Sequence, residues 1–238
     1  MSQAHTTIRV NAKKISLALL YCMGFLILAR LTTELFAFKT GHDSLFGLIR
    51  LFDLDDEANL PSYFSALILL FAALLLIFIS IQKYKAKDSF KKQWAMLALM
   101  FFYMSIDEAA SIHEMFDKPV RALLGENSNG VLHFSWVVVF IPVVLVVILY
   151  FIKFLLHFPR RTQILLICSA ILFLGGAIGM EMLQGAYETL HTVFDSHILW
   201  LTTIEESLEM SGVILFNYVL LNYIEHTYQE ARLIFYRD

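Results

Sequence analysis

Charge is what this chain has least of. Only 16% of its 238 residues are Asp, Glu, Lys or Arg, against about a quarter in a soluble domain, while 58% are hydrophobic and the mean hydropathy is +0.67. A water-soluble globular fold is therefore excluded. Cysteine is nearly absent as well. Cys22 and Cys168 lie in apolar surroundings without a Cys-x-x-Cys partner, which rules out a disulfide framework or a thiolate metal centre and leaves them as small hydrophobes. No basic stripe stands clear of the apolar runs, so nucleic-acid binding has no support. There is no sustained alternation of apolar and polar residues, which excludes a transmembrane β-barrel, and there is no internal repeat.

What is present is a series of apolar runs of bilayer length, roughly 20 residues each. They predict an all-α, polytopic membrane helical bundle forming one transmembrane domain of six helices: Ile15–Phe38, Ser62–Gln82, Trp94–Phe116, Phe134–Leu156, Gln163–Thr189 and Ile198–Ile224. The first run is longer than the apolar region of a signal peptide and no small-residue cleavage site follows it, so it reads as a retained span. Pro61 falls near the start of the second span, where its missing N–H does no harm.

Basic residues set the orientation. Arg9, Lys13 and Lys14 precede the first span. Lys83, Lys85, Lys87, Lys91 and Lys92 fill the link between the second and third, Lys153, Arg160 and Arg161 mark the link between the fourth and fifth, and Arg232 and Arg237 lie in the tail. By the positive-inside rule these regions, and so both termini, are cytoplasmic. A bacterial inner membrane, with any site facing the periplasmic or extracellular side, is the expected setting.

Nine carboxylates then fall in or at the ends of the spans and on one side: Glu34, Asp107, Glu108, Glu114, Glu181, Glu188, Glu205, Glu206 and Glu209. His42, His113, His133, His191 and His197 share that side. Intramembrane acids are expensive and are usually paired, wetted or functional. The second and fourth spans have none, which places them at the periphery, around a core of spans one, three, five and six. Gly175 and Gly179 form a Gly-x-x-x-Gly pattern that permits close packing of the fifth span.

Helical spacing aligns these groups. Asp107, Ser111 and Glu114 share one face of span three, with Glu108 and His113 beside it. Glu181, Gln184, Glu188 and His191 form a stripe on span five that contains a Glu-x-x-His pair, and Glu205 and Glu209 are one turn apart on span six. So many acids with one nearby base, Arg30, cannot all be ionised at low dielectric. Protonation, water or a divalent cation would relieve the excess, and carboxylates with imidazole suit iron, manganese or zinc. The chemistry is analogous to that of ferritin-like di-iron bundles, but those need two Glu-x-x-His motifs and here Glu108 is followed by His113 instead. Arg30 with Glu34 reads as a local helix ion pair.

Between the first two spans, Leu45–Phe52 is a short apolar stretch suited to the membrane interface. The acids Asp53, Asp55, Asp56 and Glu57 follow. Ala58 and Phe64 occupy the positions where a calcium loop needs Gly and Glu, so this segment reads as a solvated acidic rim that could cap the site.

Three functions fit. The favoured one is a metal-dependent membrane hydrolase or oxidase acting on a lipid or amphiphile. Asp107, His113, Glu181, Glu188, His191 and Glu209 are its candidate ligands, and Glu108, Glu114 and Glu205 its candidate acids or bases. The second is a cation or proton transporter or channel, disfavoured by the apolar inner halves Leu97–Met100 and Leu165–Ile167, where Asn217 and Asn222 are among the few polar groups. The third is an accessory subunit whose acids pair with a membrane protein partner.

Overall fold

The computed structural model describes residues 11–41, 44–125, 129–191 and 196–228. Arg9, His42, Asp43, Asp195, Arg232 and Arg237 lie outside these, as do the roles assigned to them above. Among the described residues all regular structure is helical. The protein is an integral, multi-pass membrane bundle. Among the described residues five helices are long and apolar enough to cross a bilayer, and six if the pair Lys91–Ala110 and His113–Leu124, bent by 78°, counts as one span.

Helix α1 (Ala12–Thr40) starts where the Asn11 side chain accepts from the Lys14 N–H at 2.9 Å and ends at Gly41, whose φ of 68° suits glycine. The short α2 (Leu48–Phe52) lies in the expected interfacial stretch. Helix α3 (Leu60–Lys85) opens with a reciprocal capping box between Asn59 and Ser62, with Pro61 in its first turn. Helix α4 (Lys91–Ala110) stops short of the expected Phe116. Ser111 takes φ 47°, and the chain turns by 78° through a 3-10 turn at His113–Phe116 into α5 (Asp117–Leu124). Helix α6 (Val137–Leu156) is the fourth span. The fifth, Arg160–Leu190, is one long helix in three parts: α7 (Arg160–Leu174), a π-helical stretch (Gly175–Met180) and α8 (Glu181–Leu190). Helix α9 (Ser196–Thr227) is the sixth.

Helix α9 is the hub, packed by α1, α3 and the fifth span. The expectation that span two is peripheral is overturned. Ile68, Leu69, Ala72, Ala73, Leu76 and Ile79 of α3 are all buried. Lack of acids had suggested lipid exposure, but small residues and backbone acceptors bring neighbours in. Ser105 of α4 donates to the Ala66 carbonyl at 2.8 Å, and the fully buried Asn217 of α9 donates to the Ile68 carbonyl at 2.9 Å. The fourth span does lie outside, with Leu145, Val146 and Leu149 exposed.

The close contacts of the fifth span also differ from expectation. Gly175 and Gly179 face open space, whereas a Cβ on Gly176 would meet Glu209 Cγ at 2.6 Å and the Glu205 carbonyl oxygen at 2.8 Å. One extra residue per π turn shifts the face that meets α9. Gly212 makes the complementary approach: a Cβ there would stand 2.7 Å from Phe173 N.

At the lysine-rich end, Leu76, Ile79, Trp94, Phe154, Phe158, Phe216 and Leu220 form a dense apolar core, with the Trp94 and Phe154 rings edge-on at 5.0 Å. A second core lies nearer the acid-bearing end: Leu54, Ile68, Leu69, Met210, Val213 and Ile214.

Candidate functional site

Leu54 explains how the site is built. It is only 4% exposed and sits among residues of α3 and α9, so the segment Asp53–Asn59 is pinned onto the helices while its acids keep partial to full exposure, an acidic rim seated on the bundle. Burying one leucine anchors the loop, at roughly 2 kcal/mol of apolar transfer. Asn59 fastens its far end, donating through Nδ2 to the Asp53 carbonyl at 2.6 Å and the Arg50 carbonyl at 3.2 Å. Asp56 pairs with the exposed Arg50 at 2.9 Å, Asp55 is exposed, and Asp53 and Glu57 are half-buried.

Arg30 receives Asp53. It is 2% exposed, forms an ion pair with Asp53, and donates to Thr202 Oγ1 of α9 at 3.2 Å. Asp55, Glu34 and Glu206 stand within its electrostatic reach. The local Arg30–Glu34 pair inferred from spacing is thus a minor part of a larger arrangement, in which Arg30 ties α1, the loop and α9 together. Its Nε has no protein acceptor among the described residues.

Deeper, Glu206 interacts with Glu108, Asp55, Glu57 and Glu181, and Glu209 with Glu206, Glu108, Glu205 and Glu181. Glu181 and Glu205 are in hydrogen-bond contact, carboxyl to carboxyl, and the Trp136 indole donates to Glu181 Oε1 at 2.9 Å. Glu205 is buried, whereas Glu108, Glu181, Glu206 and Glu209 are half-buried, with part of each side chain open to water-sized molecules. Acids from α4, α8, α9 and the loop therefore stand within electrostatic reach of one another as one cluster, the hollow of the proposal below. The π stretch helps by letting Gly176 press against the α9 backbone at Glu205 and Glu209. Such π insertions are frequent at functional sites.

The break in span three creates the most ordered pair. Asp107 Oδ1 accepts the His113 backbone N–H at 2.8 Å, and Oδ2 lies 3.0 Å from His113 Nδ1. One carboxylate thus stabilises the 78° bend and fixes an imidazole, whose ring packs edge-on against Trp136 at 5.1 Å. Glu181 and Glu114 act electrostatically on His113. Glu57 of the loop hydrogen-bonds Ser111, and its burial raises its carboxyl above the ordinary 4.5, with Glu114 and Asp107 adding to the rise.

Not every expected member joins. Helix α8 ends at Leu190, so His191 leaves the stripe in extended backbone, exposed and stacked on Tyr187 at 4.1 Å. Glu188 pairs instead with Gln184 at 2.9 Å and with His133 at 3.5 Å. His133 is held there because its turn packs on Gly185, where a Cβ would approach His133 Cβ to 2.8 Å. Glu114, beyond the break, is exposed. Among the described residues no three His, Cys, Asp or Glu side chains lie close enough to hold a metal ion as they stand. The residues that spacing could not assign to the site are Arg30, Asp53, Asp55, Glu57 and Trp136.

A family model described as a domain of unknown function, DUF8692, matches residues 17–223. The chain belongs to this family. The DUF8692 match contains every carboxylate of the hollow, Arg30 and the Asp107–His113 pair. No curated protein matches the chain, and no solved structure matches it.

Proposed function

We propose that this DUF8692 protein is a membrane enzyme whose hollow takes up a divalent cation (iron, manganese or zinc) and acts on a lipid or another amphiphile at the non-cytoplasmic face of the membrane. The observation that carries this reading is the Asp107–His113 pair set beside the Glu181–Glu205 carboxyl contact. A histidine that gives Nδ1 to a carboxylate keeps Nε2 for a metal or a proton, with its ring orientation fixed. Asp107 therefore orients His113 and is not itself a ligand. Nε2 of His113, with Glu181 and Glu209, supplies the coordinating groups after side-chain rotation, and Glu188 stands at the rim with His133. Glu205 is the inner acid or base, with Glu108 behind it and the exposed Glu114 at the mouth. A bound cation would offset the surplus of negative charge and activate water for hydrolysis or, if it is iron, oxygen.

The aromatic core at the lysine-rich end supports a closed site over a pore. Asn217, polar and placed toward that end, spends its amide on a backbone carbonyl. The positive-inside distribution of lysines supports a mouth outside the cytoplasm, and a bacterial inner membrane is the setting proposed for it.

The test is metal analysis of protein purified in detergent, followed by titration of the stripped protein with iron(II), manganese(II) and zinc(II). The expected result is stoichiometric binding of one of them, lost in His113→Gln and Glu209→Gln and retained in His191→Gln. Absence of saturable binding for all three would overturn the reading. So would binding that survives both of the first two substitutions.

A further inference from the structure

Between α1 and α3 runs an apolar groove of about 430 Å³, lined by Tyr21, Phe25, Leu26, Tyr63, Phe64 and Leu67 and open to the bilayer. We infer that this groove is the tail subsite of the hollow, holding one acyl chain of a membrane phospholipid from the leaflet on the acid-bearing side. The inference deepens the proposal above and rests on it for the chemistry at the head group.

Three features support an acyl chain as its occupant. First, it adjoins the residues that carry the site. Leu26 lies one turn before Arg30, and both are buried on the same side of α1. The Phe25 ring meets Phe52 edge-on at 6.0 Å, and Phe52 immediately precedes Asp53. On the other wall, Leu60 directly follows Asn59, which anchors the pinned loop. The two ends of the acid-bearing segment, at Phe52 and Leu60, thus border the groove.

Second, the direction is right. From Leu60 to Leu67 the wall runs roughly 10 Å along α3 at 1.5 Å per residue, from the acid-bearing end toward the bilayer centre. A lipid of that leaflet has the same polarity, head at the surface and tail inward. Third, the lining is hydrocarbon-like. Apart from the two tyrosine hydroxyls and the Cys22 thiol it offers nothing to hydrogen-bond, so an acyl chain can lie there without leaving polar groups unsatisfied.

The experiment uses the full chain in nanodiscs of phosphatidylethanolamine carrying a diazirine in one acyl chain, with cross-links mapped after illumination. Labelling of 21–26 and 63–67 is expected to exceed that of the equally lipid-exposed Leu145–Leu149 face of α6 several-fold. It should fall in Leu67→Trp, which fills the groove from a half-exposed position. Tyr63→Trp is a second filling variant if the first does not fold. Equal labelling of the two faces, or groove labelling unchanged in a folded filling variant, would overturn the inference. Divalent-cation binding measured on the same samples separates the two proposals. Binding without groove labelling refutes the tail subsite alone, and groove labelling without binding refutes the metal reading alone.

Discussion

Substituting Gly176 isolates the contact on which the hollow depends. Its Cβ would stand 2.6 Å from Glu209 Cγ, 2.8 Å from the Glu205 carbonyl oxygen and 3.2 Å from Glu209 N. Two of these three atoms are α9 backbone, which cannot rotate away, so Gly176→Ala must push the fifth span off α9 by several tenths of an ångström. Overpacking of that kind costs about 1–3 kcal/mol. Against it stands the gain from replacing glycine inside a helix, roughly 0.5–1 kcal/mol. The net expectation is a loss of about 1–2 kcal/mol. Gly175→Ala and Gly179→Ala meet nothing within 4 Å, keep the whole gain and are neutral or stabilising. The assay is equilibrium unfolding in mixed micelles, followed through tryptophan fluorescence and run in parallel on the three variants. The separation also shifts Glu205 and Glu209 relative to Glu181, so under the proposed function Gly176→Ala is expected to weaken divalent-cation binding and Gly175→Ala to leave it unchanged. If Gly176→Ala is as stable as Gly175→Ala, the packing of α9 against the π stretch is wrong, and the shared hollow fails with it.

Two further outcomes follow from the pinned loop. Arg30→Met leaves Asp53 and its neighbours without their buried counter-charge and costs about 3 kcal/mol, while Glu34→Gln stays within about 0.5 kcal/mol; equal losses in the same unfolding assay would restore the local Arg30–Glu34 pair. Glu57 faces Ser111, Glu114, His113 and Asp107, and its carboxyl is raised above 4.5 by burial. A raised acid binds its proton more tightly in the docked loop. The cost of the ionised form is therefore full above the raised value and vanishes as pH falls below 4.5. Hydrogen-exchange protection of 53–59, corrected for intrinsic rates, is expected to rise as pH is lowered from neutral toward 5, and Glu57→Gln to flatten the trend; protection that falls with pH would contradict it.

Hydropathy made the crossings legible because a bilayer demands long apolar runs regardless of how they pack. It also located the acids at one end, since alternating passes and the lysine bias fix which halves face each other. Packing between spans was less visible. Span two has no acid, so its identity as core depends on Ala66, Ile68 and Ala72 meeting α4 and α9, information distributed over three helices. The helix break at Ser111 was hidden for a local reason: Asp107 competes for the His113 backbone N–H, and no strong breaker residue marks the place. The Gly-x-x-x-Gly pattern was real as sequence but misaligned as structure, because the π stretch turns Gly176 and not Gly175 toward α9.

The pinned loop is the instructive case. Asp53-Leu54-Asp55-Asp56-Glu57 looks solvated because acids outnumber apolar residues four to one. One buried leucine pins the segment to the bundle without drying all of its acids, since the fold supplies an apolar seat for Leu54 and a guanidinium for Asp53 within one turn of chain. Neither partner is close in sequence: Arg30 lies 23 residues earlier, and Met210 and Val213 more than 150 later. The cost of burying Arg30 is met only if the loop docks, and the loop docks only if Arg30 is there. Such mutual dependence couples the seating of Leu54 to the Arg30–Asp53 ion pair, so weakening either loosens both.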